Sequence, residues 1–193
     1  HLAANYHNHR IPVADSTTHN SHSKPNTIIP GQILPIPSDE VIQQIPKHPT
    51  LSSKIRKQIS NAKIKKGRWK HIIIHHSAMP VGSAKGLDRF HREERHMENG
   101  LAYHFLIGNG RGMGNGEVFI GNRWKRQLDG GHVKSHELNQ TSIGICLVGN
   151  FEKSRPNTEQ MKSLEALVRY LMTITRLPPS VVTTHTLIHP NHT

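Results

Sequence analysis

Histidines follow directly on two β-branched runs of this sequence, a placement that can support metal or acid–base chemistry. His75 and His76 come after an isoleucine triplet, and His185 comes after a Val-Val-Thr-Thr run. Both runs are typical of buried strands, so we expect these histidines where strands end. Another histidine, His132, lies in a glycine-flanked loop between them. The sequence therefore offers three histidine positions that a fold could bring together.

A catalytic zinc site is one use for such histidines. Zinc in these sites takes about three protein ligands from nitrogen, oxygen or sulfur and keeps one position for water. Ligands at the ends of adjacent strands would have their geometry fixed by a rigid sheet. Successive side chains on a strand point to opposite faces, so His75 and His76 cannot both face one pocket. On this pattern alone, ordinary strand-end histidines remain the alternative interpretation.

The elements that must hold these histidines are those of an α/β domain. Apolar periodicity predicts helices over 84–98 and 158–176. Ser83 is the expected N-cap of the first helix, and Asn157 with Gln160 forms a capping box for the second. Strands are predicted over 70–76, 102–107, 117–120, 142–149 and 181–184.

Two other motifs are expected to be structural. The glycine-rich stretch 108–116 resembles a dinucleotide fingerprint, but it leads into a strand, whereas phosphate binding requires a following helix N-terminus. We therefore interpret it as a hairpin connection. Cys146 lies between Ile145 and Leu147 on a predicted strand, which favours a buried core residue over a catalytic nucleophile.

The composition narrows the classes of partner. The 193 residues include 25 Lys and Arg against 13 Asp and Glu, a formal net charge of +12. Such a surface favours an anionic partner: nucleic acid, an anionic membrane or a cell-wall polymer. No nucleic-acid motif accompanies the charge, which disfavours that partner. The one cysteine excludes an intrachain disulfide, and no apolar run is long enough to predict a transmembrane helix.

The first third of the chain differs from the rest. Residues 1–67 are predicted to be a low-complexity tail or linker, rich in His, Asn, Ser, Thr and Pro, with a short basic helix within 51–66. The basic residues of 51–70 are expected either to be a solvated face or to contact an anionic wall polymer. The domain is predicted to start at 68 and run to 193. Since the chain starts at His1 rather than Met, we expect that an upstream segment is missing.

From Trp69 onward the chain resembles the type 2 N-acetylmuramoyl-L-alanine amidases, a zinc-dependent family that includes phage amidase-type lysozymes and animal peptidoglycan recognition proteins. Several separate segments match in family order over about two-thirds of the chain. A long helix after Thr158 and a strand ending on His185 also fit. The matching segments are IIIHHSA at 72–78, LAYHFLIGNG at 101–110, GGHVKS at 130–135 and NQTSIGICLVGNF at 139–151.

This resemblance implies a fold, a cofactor and a set of site residues. The fold is a single α/β domain with a central mixed β-sheet flanked by helices. Carried over position by position, His75 and His185 match zinc ligands, and Zn2+ is the implied cofactor. Tyr103 matches a catalytic tyrosine that orients the zinc-bound water or the scissile carbonyl, and His132 matches a histidine lining the substrate cleft. The implied reaction is hydrolysis of the amide between N-acetylmuramic acid and the L-alanine of the peptidoglycan stem peptide.

The third zinc ligand stays open at this point. In the family it is a Cys or Asp eight to ten residues after the second histidine, and eight residues after His185 is Thr193. It could lie beyond Thr193, be replaced by His189 or His192, or be absent. We therefore expect a domain truncated at its C-terminal end. Without the third ligand, the alternative function is a module that binds muropeptide without cleaving it.

The remaining aromatic and histidine residues receive structural interpretations. His76 is expected to support His75 from behind, and His104 to be structural. His91 is expected to be solvated on the first helix. Trp124 could be a core residue or face a glycan. The resemblance also implies an extracytoplasmic location, although the chain carries no recognisable signal peptide.

Overall fold

The computed structural model describes residues 48–188, apart from the side chain of Ile188. The chain divides after His48, and Pro49 onward forms one compact unit. The predictions for the tail residues 1–47 and for His189 and His192 lie outside the described residues. The division into a tail of 1–67 and a domain of 68–193 therefore stays a prediction.

Within the described residues, five strands form one mixed sheet, which confirms the predicted α/β fold class. The spatial order is β3-β2-β4-β1-β5, with β3 antiparallel to β2 and all other neighbours parallel. The carboxyl ends of the four parallel strands consequently lie at the same edge of the sheet. The strands are β1 (His71–His76), β2 (Phe105–Ile107), β3 (Val118–Ile120), β4 (Ser142–Leu147) and β5 (Val182–Thr184).

Strand β1 lies between β4 and β5 because it is apolar on both faces. Ile72, Ile73 and Ile74 are all buried, as expected for a strand covered on both sides of a parallel sheet. The register pairs Ile74 with Thr184 on β5 and His75 with Cys146 on β4. The end of β1 thus lies beside the end of β5.

Six α-helices and one 3-10 helix (Pro179–Val181) surround the sheet within residues 48–188. The capping box of Asn157 and Gln160 forms as predicted, and the longest helix buries Leu164, Leu167 and Leu171. None of the described helices is both long and apolar enough to cross a membrane. The helices are α1 (Ser53–Ser60), α2 (Ala84–Glu93), α3 (Asn122–Lys125), α4 (His136–Thr141), α5 (Thr158–Thr175) and α6 (His185–Ile188).

Helix α2 ends earlier than the sequence predicts. Ser83 caps it by accepting a hydrogen bond from the Gly86 N–H, but the helix stops at Glu93 instead of continuing to 98. His96 adopts a left-handed conformation with φ of 50°, and the Met97 N–H donates to the His91 carbonyl. This non-glycine residue in the left-handed region ends the helix within what looked like a continuous pattern.

Helix α1 packs on the domain through its one buried residue and through a hydrogen bond from the Tyr170 hydroxyl to the Arg56 carbonyl. Ile59 is fully buried, and its carbonyl accepts a hydrogen bond of 3.0 Å from Nε1 of Trp124. Trp124 is also fully buried and contacts the ring of Phe105. Its side chain is therefore a core residue, and the glycan-facing alternative for Trp124 is wrong.

Candidate metal centre

The parallel strands bring two of the predicted ligands together. His75 is the fifth residue of β1, and His185 follows the last residue of β5 at the start of α6. Their ring centroids are 5.1 Å apart, although the two residues are 110 positions apart in the sequence. Side chains at the carboxyl ends of parallel strands share one edge of the sheet, which is where α/β folds place their ligands.

His132 contacts His75 directly. Its Nδ1 lies 2.9 Å from Nε2 of His75, and the ring centroids are 4.8 Å apart at an interplanar angle of 71°. Both rings are buried, and His132 is only 8% exposed. The structure therefore places His132 against His75, with little surface left for contact with a ligand.

Tyr103 completes the aromatic surroundings of His75. It precedes β2, and its ring lies 5.3 Å from the His75 ring and 6.3 Å from the His132 ring, which it stacks against. Burial, with a smaller contribution from Cys146, raises the pKa of Tyr103 well above its ordinary value. The phenol therefore keeps its proton at neutral pH and can donate a hydrogen bond.

Burial keeps the imidazoles of His75 and His132 neutral. Burial lowers the pKa of His75 well below its ordinary value, and the neighbouring His132, His185 and His76 lower it further. Burial also lowers the pKa of His132 to about 4, although the backbone of Ser142 opposes that shift. Neutral imidazole is the form that ligates metals, so these rings are in the right protonation state before any metal binds.

Two imidazoles at this edge of the sheet could contribute nitrogens to a metal. Nε2 of His75 faces His132, which leaves Nδ1 as the nitrogen of His75 for a metal. His185 lies beside it and can supply the second nitrogen. No group of three His, Cys, Asp or Glu residues within 48–188 is arranged to hold a metal ion. His189 and His192 lie outside that range, as does any later residue.

The other residues singled out in the sequence have structural roles. His76 faces away from His75, and its Nδ1 accepts a hydrogen bond of 2.9 Å from the Phe151 N–H. His104 is fully buried, accepts from the Gly144 N–H and donates to the Leu128 carbonyl. Cys146 is fully buried too, and burial raises the pKa of its thiol well above the ordinary value.

The prediction that His91 is solvated is wrong. His91 is 7% exposed, its Nδ1 donates to the Leu87 carbonyl over 2.7 Å, and its ring lies 5.7 Å from the Tyr103 ring. Leu87 and His91 are four positions apart and share the buried face of α2. That spacing is a signal in the sequence, whereas Phe90, the next apolar residue after Leu87, is 39% exposed.

The sequence reasoning also missed Arg123. This arginine is 7% exposed and donates from Nε to the Leu101 carbonyl over 2.7 Å and from its guanidinium to the Asp129 carbonyl. Leu101 precedes Tyr103 by two positions, and Asp129 precedes His132 by three. Arg123 therefore ties together the two segments that lead into the site.

Comparisons with known proteins agree with this geometry. The family model described as N-acetylmuramoyl-L-alanine amidase matches residues 65–193. Peptidoglycan recognition protein 3 of Mus musculus is 33% identical over 69 residues, which are 36% of this chain and only 17% of the mouse protein.

Two solved structures are similar over most of the domain. The N-acetylmuramoyl-L-alanine amidase LysC from Clostridium intestinale is 26% identical, with a TM-score of 0.54 over 63% of this chain and 73% of its own. A variant of Drosophila PGRP-LB in complex with tracheal cytotoxin is 24% identical and shows the same fold, with a TM-score of 0.53 over 64% and 73% of the two chains. The family resemblance noted in the sequence is thereby confirmed, and this chain belongs to the Amidase_2 family of N-acetylmuramoyl-L-alanine amidases.

Proposed function

We propose that this chain is a zinc-dependent cell-wall amidase that hydrolyses the amide between N-acetylmuramic acid and L-alanine in peptidoglycan. The observation that carries the proposal is the approach of His75 and His185 to 5.1 Å at one edge of the sheet, beside Tyr103. Family membership and the likeness to the clostridial amidase support the same reaction.

Each site residue has a role that its surroundings suit. His75 and His185 would each contribute an imidazole nitrogen to the metal, and a third ligand would come from outside the described residues. When bound, zinc activates a water molecule and polarises the scissile carbonyl. Tyr103 keeps its phenolic proton and donates it as a hydrogen bond to the oxygen on which negative charge develops. The buried walls around His75 exclude bulk water, which strengthens these interactions.

The substrate is a muropeptide of peptidoglycan. The Drosophila relative in complex with tracheal cytotoxin supports this class of ligand. Peptidoglycan lies outside the cytoplasm, so we propose an extracytoplasmic location for the protein.

A binding module without catalysis is the second candidate function. It is supported by the similarity to the mouse peptidoglycan recognition protein 3, whose name states recognition and not hydrolysis. Such a module would bind muropeptide at the same edge of the sheet and leave the amide intact.

Replacing His75 with Ala separates the two candidates. We expect the wild-type protein to bind about one zinc per chain by mass spectrometry and to release stem peptides with a free L-alanine amino group from purified peptidoglycan. His75→Ala should lose both properties. His71→Ala is the matched control, because His71 lies at the other end of the same strand and should keep both.

The outcomes divide the proposals clearly. Wild-type protein with far less than one zinc per chain and no peptide release would overturn the amidase proposal. If such a protein still binds insoluble peptidoglycan in a pull-down, the result would support the binding module.

The basic segment supplies a second contact in this proposal. Seven cations of 54–70 are exposed and form no ion pair within residues 48–188, and no acidic residue occurs between Glu40 and Asp88. We propose that this segment contacts an anionic wall polymer and not nucleic acid. The seven are Lys54, Arg56, Lys57, Lys63, Lys65, Lys66 and Lys70.

A further inference from the structure

We propose that His132 is a positioning residue that fixes the tautomer of His75. In this arrangement Nδ1 of His132 accepts a hydrogen bond from Nε2–H of His75, which leaves the lone pair of the His75 Nδ1 for a metal. The inference depends on the proposed function only for the identity of that metal. The hydrogen bond and the tautomer are properties of the metal-free chain.

The contact has the geometry of a hydrogen bond between two imidazoles. The two nitrogens are 2.9 Å apart, within the normal range for N–H donors, and the rings meet at 71°. A neutral imidazole carries one N–H and one lone pair, so one ring must donate and the other accept. The side that donates determines which nitrogen of His75 can bind a metal.

The nitrogen of His75 that remains for a metal sets the direction of the bond. Nε2 of His75 faces His132, so a metal at this edge of the sheet would bind Nδ1. A neutral imidazole has one lone pair, so Nδ1 can bind a metal only when the proton of His75 is on Nε2. His75 then donates, and Nδ1 of His132 accepts.

The backbone around His132 restricts the position of its ring. Gly130 and Gly144 lie on the ring so closely that a Cβ at either position would collide with its Cδ2 and Nε2 atoms. Asn139 fixes the loop, because its Oδ1 accepts from the His132 and Val133 N–H groups over 2.9 and 3.2 Å. The ring therefore has little freedom to turn its Nδ1 away from His75.

This arrangement explains why a histidine at position 132 is so little exposed. A residue that acted mainly by touching substrate would need open surface, and His132 is 8% exposed. Metal-binding histidines commonly donate their second N–H to a nearby acceptor that fixes the ring, and losing that acceptor weakens metal binding. His132 supplies that acceptor for His75.

Nitrogen NMR of the metal-free protein with 15N-labelled histidine tests the proposal directly. We expect His75 in one form, with the proton on Nε2 and none on Nδ1. His132→Leu removes the acceptor and should produce a mixture of His75 tautomers and weaken zinc binding by roughly 10–100-fold. His132→Asn places an amide oxygen near the former Nδ1 and should restore both the tautomer and most of the affinity.

Two further variants control for packing. Gly144→Ala keeps the imidazole but displaces it, so it should shift the His75 tautomer as His132→Leu does. His136→Leu removes an exposed histidine and should change neither readout.

Wild-type His75 with its proton on Nδ1 would overturn the proposal, and so would an unchanged tautomer in His132→Leu. If His132→Leu fails to fold, the wild-type spectrum still decides. Because no metal or turnover is needed for the tautomer, failure of the amidase proposal would leave this result interpretable.

Discussion

At the scale of single residues, the site owes its chemistry to burial. Tyr103 lies against the His75 and His132 rings, and burial raises the pKa of its phenol well above the ordinary value. His75 is neutral for the same reason. The Tyr103 hydroxyl is therefore a hydrogen-bond donor and the His75 ring a neutral imidazole before any ligand binds. Neither state requires a neighbouring charged side chain.

Tyr103→Phe tests the role of the phenol. The ring should remain in place because its packing is apolar, but the donor to the developing oxyanion is lost. We expect kcat on peptidoglycan to fall by roughly 10²–10³-fold. Zinc content and thermal stability should stay close to wild type, since Tyr103 is not proposed to hold the metal. A kcat within threefold of wild type would contradict the proposed role.

The sequence predicted part of this residue-level picture. Strand alternation separated His75 from His76, and the structure confirms that they face opposite sides. The contact between His75 and His132 could not be predicted, because it depends on how closely the loop of Gly130 approaches β4 at Gly144. Arg123 looked like one of many surface cations, and only its two carbonyl partners show otherwise.

At the scale of elements, Arg123 on α3 connects the segments that lead to Tyr103 and His132. Its guanidinium binds the carbonyls of Leu101 and Asp129, which have no regular strand or helix to hold them. A long side chain with several fixed donors can join two irregular segments that backbone pairing cannot reach.

Arg123→Met should therefore affect both stability and the site. The side chain keeps similar bulk but leaves buried carbonyls unpaired, so we expect unfolding free energy to drop by about 2–4 kcal/mol. Chemical denaturation measures this change. Arg126→Met is the matched control, because Arg126 is exposed one turn along and should cost under about 0.5 kcal/mol. If Arg123→Met and Arg126→Met lower the free energy of unfolding equally, Arg123 does not connect the two segments as described.

Elements were predicted better in position than in extent. The strand of Ile72–Ile74 and the helix after Asn157 were placed correctly, because apolar runs and caps are local signals. The second strand was predicted from 102 but starts at Phe105, since Ala102, Tyr103 and His104 form the irregular approach to the site. Helix α2 ends at Glu93 through the left-handed conformation of His96, which the sequence does not signal.

At the scale of the whole molecule, Lys65 and Lys66 of the basic segment lie at the opposite end of β1 from the candidate site. Lys65 and Lys66 precede β1, and with Arg176 they line a cavity of about 310 Å³ at the amino end of that strand. His75 and His185 lie at the carboxyl ends. A polymer bound by these cations would leave the edge with His75 and His185 open to peptidoglycan.

Binding to an anionic wall polymer should weaken steeply with salt. Replacing Lys65 and Lys66 with Gln should lower the slope of log K against log salt concentration by about 1–2, as expected when two charge contacts are lost. The matched control replaces Lys85 and Lys153, which are exposed elsewhere, with Gln. Isothermal titration with purified polymer at several salt concentrations gives the slopes.

Two results would contradict this contact. If the two double variants lower the salt slope equally, the change reflects net charge and not a contact at Lys65 and Lys66. Tighter binding to duplex DNA than to wall polymer under the same salt would favour the nucleic-acid alternative.

The global arrangement was the part least accessible from residue patterns. The order β3-β2-β4-β1-β5 places β1 beside strands that come much later in the chain, and no local signal specifies such pairing. The net charge was visible in the composition, but the distance of Lys65 and Lys66 from the histidine edge required the structure.

The pairing of β1 with β5 also sets when the site can exist during synthesis. His75 leaves the ribosome 110 residues before His185, which at ordinary translation rates is a delay of roughly 5–20 s. Throughout that interval the nascent chain contains one ligand strand without its partner. A site built this way is incomplete while the chain is being made, because His75 and His185 come together only when β5 pairs with β1.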